Sequence, residues 1–193
     1  MLVPFRLLPL ALLALTPLAS ANWYLDNDSS RLSFISTRDA DVSEVFSFRT
    51  LHGKVDPQGL ATLDVELESI STGTPVRDER LREHLFQVRQ FPEARITAQL
   101  NMTPINALAP GAQLEMRLPL TVRLHGQSQS YSAELLATRL DERRFQVVTL
   151  EPLVLHAQDF GLVPALDGLR QGAALSAISL SVPVGAVLIF AAR

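Results

Sequence analysis

The chain has 193 residues, with 17 Lys and Arg against 20 Asp and Glu, a net charge of −3 and no cysteine. That mildly acidic balance offers no basic face for nucleic acid. The missing thiols exclude disulfides, thiolate catalysis, zinc–thiolate sites and iron–sulfur clusters.

Residues 1–21 have the order of a secretory signal. Arg6 lies near the start, an apolar run rich in Leu and Ala covers 7–15, and Ala19-Ser20-Ala21 is a small-x-small triplet. The run is too short to span a hydrocarbon layer of about 30 Å. Cleavage is therefore expected after Ala21, leaving an exported, periplasmic domain over 22–193 with no stable membrane anchor. No Cys follows the triplet, which excludes a lipoprotein anchor. The mature length suits one domain with a substantial core.

Period two governs most of the chain beyond residue 30. Leu32 and Phe34, then Phe46 and Phe48, open the pattern. Leu63, Val65 and Leu67 alternate with Asp64, Glu66 and Glu68; Ile96, Ala98, Leu100 and Met102 alternate with Thr97, Gln99 and Asn101. The longest run places Leu114, Met116, Leu118, Leu120, Val122 and Leu124 on one face. Ile178, Leu180, Val182 and Val184 lead into a final buried strand over 182–192. Strands with one dry and one wet face belong to antiparallel sheets. Turns fall between them at Asp56-Pro57-Gln58-Gly59, Pro110-Gly111, His125-Gly126-Gln127 and Leu140-Asp141-Glu142. Pro119 cannot donate to a ladder and requires a bulge, a frayed edge or a barrel rim.

Two segments break the alternation. Leu81, Leu85 and Val88 stand at helical spacing over 77–90, with Asp78 placed to cap and Pro92 to stop the helix. A second short helix is expected over 163–171. Roughly eight long strands with one or two short helices favour a closed barrel over a sandwich, and an eight-stranded barrel holds either side chains or one small ligand. The all-β, eight-stranded antiparallel barrel is therefore the expected fold, with a filled core and a hollow one both open.

The chemistry-bearing residues are sparse. His52, His84, His125 and His156 are isolated, with no metal-ligand spacing, and read as surface groups. Asp64, Glu66 and Glu68 share the wet face of one strand. No nucleophile elbow is present. These residues point to no catalytic centre, metal or cofactor.

Several motifs together carry a resemblance. They are Trp23, the Ser30-Arg31-Leu32-Ser33-Phe34 strand, and Leu63-Asp64-Val65-Glu66-Leu67-Glu68-Ser69-Ile70-Ser71-Thr72-Gly73. Arg77-Asp78-Glu79-Arg80-Leu81-Arg82 comes next, then Phe86, Phe91-Pro92, Ala94, Ile96 and Asp159-Phe160-Gly161. With these the chain resembles the YceI-like family of exported bacterial lipid-binding proteins. The resemblance implies a lipocalin-like barrel, non-enzymatic, that holds a polyisoprenoid, its pyrophosphate or a fatty acid derivative in an apolar tunnel, and it allows a homodimer. The tunnel would be lined by Phe34, Phe46, Phe48, Leu63, Val65, Leu67, Ile96, Leu100, Leu118, Leu120 and Val122. Arg77, Arg80 and Arg82 are the candidates for a polar head group, since guanidinium forks suit phosphate. The alternative is a filled-core periplasmic stress or interaction protein without a lipid. Two departures from the family pattern stand out. The segment 85–89 lacks an acidic residue and an aromatic pair, and the tail 185–193 runs past the expected end of the last strand.

Overall fold

The computed structural model describes residues 22–193; the expected secretory segment at 1–21 lies outside the described residues. The strands are β1 (Trp23–Leu25), β2 (Arg31–Arg38), β3 (Val42–Phe48), β4 (Leu51–Val55), β5 (Leu60–Glu66), β6 (Ile70–Ser71), β7 (Glu93–Gln99), β8 (Gln113–Leu124), β9 (Gln127–Asp141), β10 (Arg144–Thr149), β11 (Leu153–His156) and β12 (Ser181–Ala192). Every pairing is antiparallel. Eight strands close a ring in the order β1-β4-β5-β7-β8-β9-β10-β12, and β12 returns to β1 through Trp23↔Ala192 and Leu25↔Phe190. The other four, β11, β2, β3 and β6, extend the sheet around one end. The molecule is an eight-stranded antiparallel barrel.

Twelve segments replace eight for a local reason. Three neighbouring strands break at one level, between β1 and β2, between β3 and β4, and at the 3₁₀ turn Leu67–Ser69 between β5 and β6. Side chains take over the ladder there. Asn27 Oδ1 accepts from the Leu51 N–H at 2.7 Å. Ser69 Oγ accepts from the N–H groups of Arg49 and Thr50 at 3.1 and 3.0 Å. The buried Ser30 hydroxyl donates to Asp26 O and accepts from the Ile189 N–H, so it is itself fully paired.

The turns follow their residues. Gly59 has φ 87°, and Asp56 Oδ1 accepts from the N–H groups of Gln58 and Leu60. His125 and Gly126 both have positive φ and join β8 to β9 as a two-residue hairpin. Pro119 is the first β8 residue past the β7 ladder, which ends at Ala98↔Leu120. The missing donor therefore meets no neighbour strand on that side.

Three helices depart from or extend the expectation. α1 (Pro75–Arg80) begins ahead of the expected start, with Pro in the first turn where its absent N–H does no harm. It runs on in a π-helical turn, Leu81–Phe86, and stops at Gln87 with φ 50°, short of Pro92. Asp78 is not the cap. Its Oδ1 accepts from the Thr72 N–H at 2.8 Å and from the Thr72 hydroxyl, fastening the strand-to-helix corner. α2 (Met102–Asn106) was not expected, because Met102 continues the β7 alternation; Asn101 accepts from the Thr103 N–H and starts it. α3 (Val163–Gly172) lies where the second helix was expected. β12 runs to Ala192, so the tail after Gly185 is part of the closing strand rather than an overhang.

Candidate functional site

The inner face of the barrel is apolar but not filled. Along β8, Leu118 and Val122 are buried, whereas Met116, Leu120 and Leu124 on the same face are only half-buried. The cause is a cavity of about 560 Å³ that runs through the barrel. Natural cores are packed with few voids larger than a water, and a void of this size falls in the range of pockets that take one organic ligand, about 300–1,000 Å³.

All eleven wall positions named from the alternation face this void: Phe34, Phe46, Phe48, Leu63, Val65, Leu67, Ile96, Leu100, Leu118, Leu120 and Val122. β12 and β10 complete the wall with Val184, Leu188, Phe190 and Val147, and α3 adds Leu166 and Leu169. Phe34 stacks near Phe48 at 5.6 Å and meets Phe46 edge-on at 5.6 Å. The cavity has two different ends. Glu44 stands at one end and Val55 at the other.

The polar end is the mouth. Arg38, Glu44, Arg77 and Arg80 line it. Arg77 is fully engaged. Its Nη1 donates to both Glu44 carboxylate oxygens at 2.9 and 3.1 Å, Nε to the Thr72 hydroxyl at 2.9 Å and Nη2 to Thr72 O at 2.8 Å. Its guanidinium lies 4.6 Å from the centre of the Phe46 ring. Arg82 does not line the cavity. It donates to Glu68 O at 2.7 Å and pairs with Glu79 at 3.0 Å. Of the three arginines proposed for a head group, Arg77 and Arg82 are therefore held by the protein itself. Arg80 stays on the cavity wall, exposed, and forms no ion pair among the described residues.

The mouth is also latched. Arg38 pairs with Asp39 at 3.1 Å and with Glu44 at 3.2 Å. Asp39 accepts from the Ser176 N–H and hydroxyl, which ties the β2–β3 turn to the segment after α3. The Ser176 bonds, together with Arg38, hold the Asp39 carboxyl below the usual carboxylate range. Burial raises Glu44, but the Arg38 and Arg77 hydrogen bonds outweigh it and hold it low as well. A depressed carboxyl contributes its stabilisation above the ordinary value and loses it only as pH falls through the lowered one. The latch is thus expected to hold at pH 5 and to loosen only below about pH 4, the ordinary carboxylate region. Amide exchange at Ser176, corrected for the intrinsic pH dependence, reads this; loss of protection already at pH 6 contradicts it.

Two of the histidines read as surface groups are only partly exposed. His156 borders the cavity at the end of β11, and its ring shares an exposed 3.2 Å hydrogen bond with the Ser181 hydroxyl. His125 lies 4.3 Å from Phe91, centre to centre, with its Nε2 buried. Both positions follow from the hairpin and strand register rather than from any metal set, and among the described residues no three His, Asp or Glu side chains gather at metal-binding distance. Tyr131 donates to Asp159 at 3.2 Å; burial and that carboxylate push its hydroxyl up.

The opposite end is a floor. Trp23, Val55, Ile105, Phe145 and Phe190 form a separate buried cluster. Trp23 and Phe145 meet edge-on at 4.9 Å, and α2 crosses beneath the barrel to insert Ile105. The alternation did not show this floor. Asn101 with Pro104 in the first turn was the available signal for α2.

The sequence matches the YceI-like domain over residues 23–189. The chain belongs to the YceI-like family. Among solved structures, a polyisoprenoid binding domain from Saccharophagus degradans, implicated in plant cell wall breakdown, is 32% identical, with a TM-score of 0.87 over 89% of this chain and 98% of that one. Burkholderia cenocepacia BcnA, at 15% identity and a TM-score of 0.64, covers 86% of this chain and 98% of its own. The Campylobacter jejuni YceI protein, at 12% identity and 0.54, covers 77% and 84%. These two share the fold. No curated protein matches the sequence.

Proposed function

We propose that this YceI-like chain is an exported, non-enzymatic protein that holds a long apolar lipid inside its barrel, for transport, storage or sequestration in the periplasm. The lipid is a polyisoprenoid, its pyrophosphate or a fatty acid derivative. One observation carries the proposal: an elongated void of about 560 Å³, walled by hydrocarbon and closed at one end. Moving a hydrocarbon chain from water into such a wall gains about 25 cal/mol per Å² of apolar area, without any polar partner. Arg80, free at the mouth, suits an anionic head.

Three further points support the reading. The relative at 32% identity is described as a polyisoprenoid binding domain. The ionisable side chains on the wall cluster at the mouth, apart from His156, which is bonded to Ser181. The basic–apolar–small order of residues 1–21 is that of an export signal, and no helix among the described residues is long and apolar enough to cross a membrane. A filled-core interaction protein would lack the void.

The test is native mass spectrometry of protein purified from its periplasm. A bound species of lipid mass is expected. After delipidation, the protein should take up geranylgeraniol or palmitate in one-to-one stoichiometry. Failure to retain or take up any apolar chain overturns the proposal.

A further inference from the structure

The structure assigns a length limit to this cavity: its floor, formed by Ile105 of α2 with Trp23 and Phe145, is a ruler for the apolar chain of the ligand. This deepens the lipid-binding reading and rests on it.

Three observations converge. The same void that opens at Arg38, Glu44 and Arg80 also touches Trp23, Met102, Ile105 and Phe145, so it extends to the floor without a partition. The floor residues are themselves buried, with Trp23 and Ile105 each exposed by only 6–7%. Beyond them, Leu108, Leu114 and Ala192 pack against the same cluster without lining the void, so a second layer of half-buried side chains backs the floor. A chain entering tail first must stop there.

Asn101 caps α2 and the Leu108 N–H returns to Ile105 O at 3.2 Å, so the helix that carries Ile105 is locally formed; Ile105 packs against Trp23 and Phe145, which meet edge-on. A ligand that outgrows the tunnel must therefore leave carbons in water at the mouth. Each stranded methylene forfeits about fourfold in affinity (about 0.8 kcal/mol). Just above the floor, Ala61 and Ala98 face each other across β5 and β7 and both line the void. Their small side chains keep the lowest section of the tunnel open.

The experiment measures affinity for prenyl alcohols of increasing length, from geraniol to solanesol, by displacement of a fluorescent fatty probe and by native mass spectrometry. Wild type, Ile105→Ala and Ala61→Leu are compared, each checked for its melting transition. In wild type, affinity should rise with each isoprene unit and then stop rising. In Ile105→Ala that break should move to longer chains, with about tenfold tighter binding of the first chain past the wild-type break. In Ala61→Leu, which removes no packing, it should move to shorter chains. A break at the same length in all three proteins, or none in wild type, overturns the ruler while leaving lipid binding intact. Absence of binding by any chain overturns both.

Discussion

Leu120→Glu is expected to suppress uptake of apolar chains by a few hundredfold at neutral pH and to recover most of it in mild acid. Leu120 sits on β8 in the middle of the wall, opposite Ala98 on β7 and Tyr131 on β9. A carboxylate there is tolerated while the tunnel holds water. A hydrocarbon chain removes that water, and the ionised form has no partner in the apolar wall. The group escapes by taking up a proton, so the penalty is bounded by the cost of protonating an ordinary Glu. At pH 7 that is about 3.7 kcal/mol, or roughly 500-fold; at pH 5 it is about 1 kcal/mol, or roughly fivefold. Titration of Leu120→Glu and Leu120→Met with the fluorescent fatty probe at the two pH values measures this. Unchanged binding at pH 7, or a loss equal at both pH values, would mean that the ligand does not occupy this section of the barrel.

Phe160→Ala and Leu120→Ala should separate sharply in stability, although both remove large apolar side chains. Phe160 is 1% exposed and belongs to the cluster that joins the barrel wall to the π-helical turn and α3. It stacks on Tyr131 at 6.4 Å between ring centres, and the adjoining Gly161, at φ 68°, ends its turn in the left-handed region. Phe160 also borders the void, but at 1% exposure it is packed on nearly every side, so its truncation forfeits far more contacts and typically costs about 3–5 kcal/mol. In a domain of this size that lowers the melting temperature by roughly 10 °C. Leu120 already faces the void on one side, so its truncation forfeits fewer contacts and leaves no new isolated hole. A loss of about 1 kcal/mol is expected there, well under the usual range of about 2–5 for Leu→Ala. Urea unfolding of the ligand-free proteins compares them. Equal losses would indicate that Leu120 is packed on all sides and that the barrel is filled.

The alternation exposed the wall because it records which side of each strand avoids water. Leu63, Val65 and Val122 need only a period of two to be placed on the inner face. It could not distinguish a filled interior from a hollow one, because Leu, Val and Phe serve either purpose. The family motif around Arg77 marked the mouth, but three nearby guanidinium groups look alike in sequence. Only the fold shows Arg77 held by Glu44 and Thr72, Arg82 turned to Glu68 and Glu79, and Arg80 left on the wall.

Sequence by itself determined the local terms: the strand faces, the Asp56–Gly59 and His125–Gly126 turns, a helix around Leu81 and Leu85, and another after Val163. Each of these is decided by neighbours within a few positions, through side-chain period, backbone freedom or a missing donor. Tertiary structure decided how far apart the walls stand, which strands meet to close the ring, and what seals its base. Those depend on residues distant in the chain, such as Trp23 against Phe145 and Ala192, and Ile105 carried beneath them by a helix of five residues. The volume left between them is set by their sum rather than by any one of them.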